Sequence, residues 1–230
     1  MAKTVLIVAA HPDDEVLGCG GAIARWVQGG CQVHVLLLAD GEASRATENV
    51  AADPEFLKQR QQAARQAASL LGCEVETLAM PDNRMDGLEL LDVVKPIEAA
   101  ISRLQPGTVL THHAGDVNID HRIVHEAVLA ACRPQPGHPV HKLLFFEVPS
   151  STEWRPPGSA QPFQPNLFID ISTTLAAKLR ALEIYANELR EFPHPRSMRA
   201  VEALARWRGA TVGVEAAEAF ILGRQLITDF

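Results

Sequence analysis

The alternation of short apolar runs with segments of helical periodicity is the feature that most constrains the fold of this chain. Residues 5–10 are continuously apolar and partly β-branched, which is typical of a strand covered on both faces in a parallel sheet. From residue 16 to 28 the apolar residues recur at helical spacing until Gly29 and Gly30, and Gln32–Ala39 is a second strand-like run. These segments predict a βαβ unit with a right-handed crossover.

The same alternation continues along the rest of the chain. It predicts helices over residues 56–71, 88–104, 121–132, 173–190 and 197–207, and strands over residues 74–79, 108–111, 142–148 and 167–171. Pro96 is expected to kink or divide the second of these helices. The pattern predicts a single α/β domain over residues 1–230, with a Rossmann-like, mostly parallel sheet and helices on both faces. Ligands bind such folds beyond the carboxyl ends of the strands, which here means the loops after Ala10, Ala39, Ala79 and Thr111.

Composition and charge limit the classes of function. Hydrophobic residues make up 47% of the chain and charged residues 21%, which is typical of a protein that folds around a sizeable core. The 21 Lys+Arg against 28 Asp+Glu give a net charge of −7, so nothing favours nucleic acid or anionic lipid as a partner. The first apolar run is too short to span a membrane. The four cysteines are far apart with no Cys-x-x-Cys pair, as expected of reduced thiols in a cytoplasmic protein.

Two clusters of titratable residues follow predicted strands. The first, His11-Pro12-Asp13-Asp14-Glu15, leaves two interpretations open: a solvated loop with a helix N-cap, or a site that binds a cation or exchanges protons. The second cluster, residues 111–121, reaches the same edge of the sheet and favours the latter. A His/Asp/His ligand set with an open position suits a catalytic Zn²⁺, and Fe²⁺ or Co²⁺ could occupy the same ligands. Of two adjacent carboxylates, one can bind the metal while the other takes a proton from water.

The two clusters also carry a resemblance to a known family. The opening VLIVAAHPDDEVLGCGG, together with Asp116-x-Asn118-x-Asp120-His121, resembles the PIG-L/LmbE-like zinc N-deacetylases, which remove acetyl groups from N-acetylglucosamine-type sugars. The resemblance extends to Arg60, to the Pro81-Asp82 loop and to PHPRS at residues 193–197. The His-Pro-Asp-Asp-Glu motif after an amino-terminal strand is far more specific than a lone glycine-rich loop.

The resemblance implies a role for most residues of both motifs. His11, Asp14 and His121 would hold zinc, Asp13 would be the general base, and Asp120 would orient a neighbouring group. Where the family often has the first histidine of His-Pro-Asp-His, this chain has Asn118. An asparagine can donate a hydrogen bond to an oxyanion but cannot deliver a proton. The acid is then either Asp13, once it is protonated, or one of the histidines at 112 and 113.

Further residues are expected to contact the substrate. Arg60 corresponds to a family arginine that meets the substrate, although a surface helix arginine is the alternative. Asp82 and Asp86, in the loop PDNRMDG, could anchor sugar hydroxyls, but turn chemistry explains them equally well. Residues 149–165 form a long loop that is expected to be functional or mobile. Residues His194 and Arg196 could complete the site of a neighbouring subunit in a homo-oligomer.

The resulting expectation is hydrolysis of an N-acetyl amide on a small-molecule amino sugar, with release of acetate. The same metal site would equally serve an amidase that acts on another sugar or thiol conjugate. A different class is a nucleotide-binding α/β protein in which the Asp-rich loop binds Mg²⁺ and phosphate. Against that class stand the histidines, which suit zinc better than magnesium, and the absence of a phosphate-binding glycine fingerprint in the sequence.

Overall fold

The computed structural model describes residues 3–39 and 54–227, which form one α/β domain of seven strands and six α-helices. The strands are β1 (Thr4–Ala9), β2 (Gln32–Ala39), β3 (Glu74–Met80), β4 (Thr108–His112), β5 (Lys142–Phe146), β6 (Leu167–Asp170) and β7 (Ala217–Gln225). The helices are α1 (Asp14–Gln28), α2 (Pro54–Leu71), α3 (Leu90–Leu104), α4 (Ile119–Ala131), α5 (Leu175–Ile184) and α6 (Met198–Ala210). A short 3₁₀ turn, Met85–Gly87, precedes α3.

All seven strands belong to one sheet, in the order β3-β2-β1-β4-β5-β7-β6. Strands β1 to β5 pair in parallel, and β7 runs antiparallel between β5 and β6. The order reverses direction at β1, from which the chain proceeds first to β2 and later to β4. The expected mostly parallel sheet is confirmed, and this switch point is where open α/β sheets bind ligands.

Alternate side chains of the central strand serve two cores, one on each face of the sheet. Val5 and Ile7 pack into the core that includes residues of α1, α2, α5 and α6. Leu6 and Val8 pack on the opposite face with residues of α3 and α4. Burying one such side chain stabilises the fold by roughly 1.5–3 kcal/mol. The helices on both faces are therefore confirmed, and the central strands are held rigidly beneath the loops that follow them.

The structure differs from the sequence-based elements in a few places. Pro96 lies inside a continuous α3 and does not divide it. Helix α5 ends at Ile184 rather than at residue 190, because Tyr185 and Glu188 turn inward to contacts with other elements. Strand β7 was not predicted. The loop after Ala39 lies outside the described residues. Within residues 3–39 and 54–227, no helix combines the length and apolar character that crossing a membrane requires.

Candidate active site

A polar cavity of about 220 Å³ opens beyond the carboxyl ends of β1, β4 and β5. Six segments build its wall: the turn between β1 and α1, helix α2, the loop after β3, the start of α4, the turn after β5 and the segment after α5. The lining residues are His11, Asp13, Asp14, Arg60, Asp82, Asn83, Asn118, His121, Val148, Pro149, Ser150, Ser151, Glu188, Arg190 and Arg196. The two clusters singled out in the sequence therefore meet, as their positions after strands predicted.

Three side chains at the base of this cavity have the spacing of a metal site. The Oδ2 atom of Asp14 lies 3.3 Å from Nδ1 of His11 and 3.2 Å from Nε2 of His121. One donor atom from each of the three residues lies within 4.8 Å of the other two, and all three residues are buried. Ligand atoms about 2.0–2.2 Å from a tetrahedral Zn²⁺ are separated from one another by about 3.3 Å. The donor set and its spacing thus fit a divalent metal ion.

The other nitrogen of His11 is held by carboxylates. Its Nε2 atom lies 2.9 Å from Oδ1 of Asp82 and 3.0 Å from Oδ2 of Asp120. Asp120 is itself fixed, because its carboxylate accepts the backbone N–H groups of Asn83 at 2.6 Å and Met85 at 3.0 Å. The ring of His11 is therefore oriented with Nδ1 towards Asp14. Such carboxylate–histidine pairs are the usual support of a metal-binding imidazole.

Asp116 supports the ring of His121 in the same way. No role was predicted for Asp116 from the sequence. Its Oδ2 lies 3.1 Å from Nδ1 of His121 and accepts the hydroxyl of Thr152 at 2.8 Å. The hydroxyl of Ser151 also donates to this carboxylate. The only sequence signal was the place of Asp116 in the motif, because Ser151 and Thr152 come from a turn more than 30 positions away.

Electrostatics at this cluster favour a cation. Burial alone would lower the pKa of His11, but hydrogen bonds with Asp120, Asp14 and Asp82 outweigh it and raise that pKa well above the ordinary value. Burial opposes charge on His121 too, yet the charges of Asp14 and Asp116 raise its pKa to about 9. The site thus attracts positive charge, and a metal ion would displace protons from these rings.

The carboxylate of Asp14 responds to the same neighbours. Burial would raise the pKa of Asp14, but the charge of His121 and hydrogen bonds with His11 and His121 hold it well below the usual range. Asp14 also accepts the backbone N–H of His11 at 2.9 Å. An ionised, fixed carboxylate between two imidazoles is the form in which an aspartate binds a metal ion.

Asp13 lines the cavity next to this cluster but has a different environment. Burial and the negative charges of Asp14 and Glu188 raise the pKa of Asp13 well above its ordinary value, although Arg196 and Arg60 oppose the shift. Its Oδ2 lies 3.4 Å from Nη1 of Arg196. Its backbone has φ 112° and ψ −29°, a left-handed conformation that is uncommon outside glycine and costs about 1–3 kcal/mol. Strain of this kind clusters at functional sites.

Two arginines and one glutamate form the wall beside Asp13. The guanidinium of Arg60 is buried, pairs with Glu188 and donates to the carbonyl of Pro12 at 3.3 Å. Arg196 also lies 3.9 Å from Glu188. From the sequence, Arg196 was a candidate to complete the site of a neighbouring subunit; in the structure it lines the cavity of its own chain. Glu188 was not predicted from the sequence, because its place in the cavity depends on where α5 ends.

The remaining candidates separate into those inside and those outside the cavity. Asn118 caps α4 through its Oδ1 and donates through Nδ2 to Asn83 at 3.2 Å, at the cavity wall. Among the described residues that line the cavity, neither His112 nor His113 is present. His112 is fully buried, accepts the N–H of Ala10 at 2.9 Å and stacks on the ring of His121, whereas His113 bonds to the carbonyl of Gln161. Asp86 lies exposed on the 3₁₀ turn, outside the cavity lining.

Comparison with known proteins identifies a family and several relatives of this chain. The family model described as PIG-L, GlcNAc-PI de-N-acetylase, matches residues 6–132. Diacetylchitobiose deacetylase of Thermococcus kodakarensis is 29% identical over 82% of this chain and 71% of its own. 4-Oxalmesaconate hydratase of Pseudomonas putida is 28% identical over 81% of this chain and 74% of its own. The crystal structure of the conserved protein TT1542 from Thermus thermophilus covers 100% of this chain and 98% of its own, with a TM-score of 0.76 and 27% identity.

Proposed function

The chain belongs to the PIG-L family, and we propose that it is a metal-dependent deacetylase that hydrolyses the N-acetyl amide of an N-acetylglucosamine-type sugar or conjugate. The observation that carries this proposal is the place of Asp13. Asp13 lines the same cavity as the three donor residues and is the next residue to Asp14, yet its ion pair within the described residues is with Arg196 and not with the two histidines that Asp14 joins.

Zinc is the metal that we propose, with Fe²⁺ or Co²⁺ as alternatives for the same donors. His11 Nδ1, Asp14 Oδ2 and His121 Nε2 would hold it, while Asp120, Asp82 and Asp116 keep the two rings in place. When bound, the metal supplies a Lewis acid for the amide oxygen and lowers the pKa of a water molecule.

Proton transfer is assigned to Asp13. Its carboxylate takes the proton of the attacking water and then delivers it to the leaving amine, since the amide of Asn118 is not acidic enough to transfer a proton. The histidines at 112 and 113 are weaker candidates for the acid, because the described cavity lining includes neither. The Nδ2 group of Asn118 stabilises the developing oxyanion as a hydrogen-bond donor. Arg196 holds the Asp13 carboxylate through its contact at 3.4 Å.

Substrate binding is assigned to the wall of the cavity. Arg60 presents a guanidinium that suits sugar hydroxyls or a phosphate. Asp82 lines the cavity too, and its contact with His11 means that it would both support the metal ligand and meet the substrate. Asp86 is left out of the proposed contacts because it lies outside the lining.

A hydratase is the second candidate function. The observation that favours it is the hydratase relative, which is as similar to this chain as the deacetylase relative is. Arg190 and Arg196 line the cavity and would suit a carboxylated substrate. The same site would then activate water for addition to a carbon–carbon double bond. A related amidase that acts on a thiol–sugar conjugate would also use this machinery.

The test is acetate release by the purified protein from free N-acetylglucosamine, its chitobiose, UDP- and phospholipid-linked forms and N-acetylglucosaminyl conjugates. Each assay is run after chelation and again after zinc is restored. We expect zinc-dependent release from at least one substrate. Loss of absorbance from 4-oxalmesaconate, a conjugated, unsaturated tricarboxylic acid, without acetate release, would instead support the hydratase. Absence of both activities in a protein that binds no transition metal would overturn the enzyme proposal.

We further propose a cytoplasmic location and assembly as a homo-oligomer. All four cysteines are free thiols, and Cys19 and Cys132 are buried, as suits a reducing compartment. Size-exclusion chromatography with light scattering measures the oligomeric state directly, and a monomer would contradict the second part.

A further inference from the structure

We infer that Glu15 is a positioning residue whose buried carboxylate holds the backbone of Asp13 in the conformation that presents its side chain to the cavity. Glu15 is 4% exposed and is absent from the described residues that line the cavity, so any effect of Glu15 on the reaction is indirect. The inference rests on the proposed function only in taking Asp13 as the residue that exchanges protons.

The backbone of Asp13 has an unfavourable conformation that other contacts must stabilise. Its φ of 112° lies in the left-handed region, where the Cβ atom of any residue except glycine crowds the main chain. Its carbonyl accepts the N–H groups of Val16 at 3.1 Å and Leu17 at 2.9 Å, which begins α1. Its own N–H donates to Oε2 of Glu15 at 3.1 Å. Both peptide groups that flank the Asp13 Cα atom are therefore fixed by hydrogen bonds.

Glu15 is itself anchored to residue Tyr185 at the end of another helix, α5. Its Oε1 accepts the hydroxyl of Tyr185 at 2.7 Å, and Tyr185, at the carboxyl end of α5, is also 4% exposed. A carboxylate with one oxygen on Asp13 and the other on Tyr185 cannot rotate away without losing a buried hydrogen bond. Glu15 thus connects the start of α1 to the end of α5.

At the start of α1, the side chains of Asp13 and Glu15 make different contacts. An N-cap aspartate ordinarily uses its carboxylate to accept N–H groups of the first helical turn. The Asp13 side chain makes no such bond. Glu15 instead reaches back to the N–H of the cap residue, as the glutamate of a capping box does. Glu15 thus fixes the main chain of the cap residue, while the Asp13 carboxylate makes no capping bond and is directed to the cavity and Arg196.

The test compares Glu15→Ala, Glu15→Gln and Tyr185→Phe in the metal-loaded enzyme. We expect Glu15→Ala to lower kcat about a hundredfold with KM changed less than threefold, because a displacement of about 1 Å at a reacting group costs that much. Glu15→Gln keeps an oxygen that accepts the Asp13 N–H and should restore kcat to within about fivefold of wild type. Tyr185→Phe removes one anchor and should give an intermediate kcat. Zinc affinity, measured by competition with a chromophoric chelator, should stay within threefold throughout.

Glu218→Ala is the matched control. Glu218 is equally buried at 4% and accepts the N–H groups of Gly21 and Ala22, further along the same helix. Its loss should lower the unfolding temperature and leave kcat within threefold at a temperature where the variant is folded. The inference is overturned if Glu15→Ala keeps the wild-type kcat, if Glu218→Ala loses as much, or if Glu15→Gln is as impaired as Glu15→Ala.

Crystal structures of wild type and Glu15→Ala give a readout that does not depend on the activity. We expect Asp13 to leave positive φ and lose its contact with Arg196 in the variant. If the wild type releases no acetate but this change is seen, the proposed function fails while the positioning role stands. An unchanged Asp13 would overturn the positioning role whatever the activity.

Discussion

At the scale of single residues, the site depends on two adjacent aspartates with opposite environments. Asp14 lies between two imidazoles, which hold its pKa well below the ordinary value. Asp13 faces Asp14 and Glu188, and burial together with their charges raises its pKa. One carboxylate is thus kept ionised for a metal, and the other readily accepts a proton. The roles that we propose for these neighbouring positions differ because their environments differ, and the backbone is left-handed at Asp13.

Replacement of Asp13 tests this division directly. Asp13→Asn keeps the size of the side chain but removes the basic oxygen, so acetate release should fall by about 10²–10⁴-fold, the usual contribution of a general base. The metal content of the purified variant, measured by atomic emission, should equal that of wild type. Asp86→Asn, at an exposed carboxylate outside the cavity, is the control and should keep full activity. Near-normal turnover by Asp13→Asn would refute its role as the base.

Asp116 is expected to act on metal affinity instead. Asp116→Asn removes the charged acceptor that faces Nδ1 of His121, and loss of such a support typically weakens metal binding 10–100-fold. Competition with a chromophoric chelator measures the affinity. Asp92→Asn, at an exposed position on α3, provides a matched control that should bind as wild type does. Equal affinities in the two variants would contradict the role of Asp116.

At the scale of elements, helix α1 is interrupted at Cys19. Cys19 has φ −150° and ψ 22°, which breaks the helical hydrogen-bond ladder. The buried pair of Lys178 and Glu218 repairs the break: Lys178 donates to the carbonyl of Leu17 at 2.8 Å, and Glu218 accepts the N–H of Gly21 at 2.9 Å. A Cβ atom on Gly21 would lie 2.7 Å from Ile171, so the close packing requires glycine.

We expect the buried pair of Lys178 and Glu218 to contribute to the free energy of unfolding. Lys178→Met leaves the Glu218 carboxylate buried without its cation, which should lower the free energy of unfolding by about 3–5 kcal/mol in urea denaturation. Adding Glu218→Gln removes the unpaired charge and keeps an acceptor for the helix N–H groups. The double variant should therefore be more stable than Lys178→Met alone. A single variant within about 1 kcal/mol of wild type would show that the pair is not needed.

The elements also show how far periodicity predicts structure. Strand β2, Gln32–Ala39, was predicted to the residue because a long apolar run between glycines and a polar segment has one simple interpretation. Strand β7 was missed, since it contains Gly223 and the buried Glu218, neither of which is typical of a strand. Helix α5 was predicted too long because Tyr185 leaves the helix to reach Glu15. Local composition thus concealed β7, whereas a contact distant in sequence decided where α5 ends.

At the scale of the whole molecule, the site too was predicted only where its residues directly follow predicted parallel strands. The meeting of the first and second clusters followed from their places after parallel strands, because such loops share one edge of the sheet. The contributions of Ser151, Glu188 and Arg196 did not follow, since they come from the turn after β5 and the segment after α5. In the long loop, Pro149, Ser150 and Ser151 line the cavity, but its sequence does not show which residues turn inward.

Because the cavity joins segments from across the sheet, metal binding should stabilise the whole fold. Free zinc at about 100 times its Kd adds about 2.7 kcal/mol, which for a chain of this size raises Tm by roughly 5–10 °C. Thermal unfolding with and without zinc measures the shift. Asp13→Asn should keep it, whereas His121→Ala should lose it, because only the latter removes a donor that pulls α4 towards α1. An equal shift in His121→Ala would mean that zinc binds elsewhere, and the cavity would then need another explanation for its convergent carboxylates.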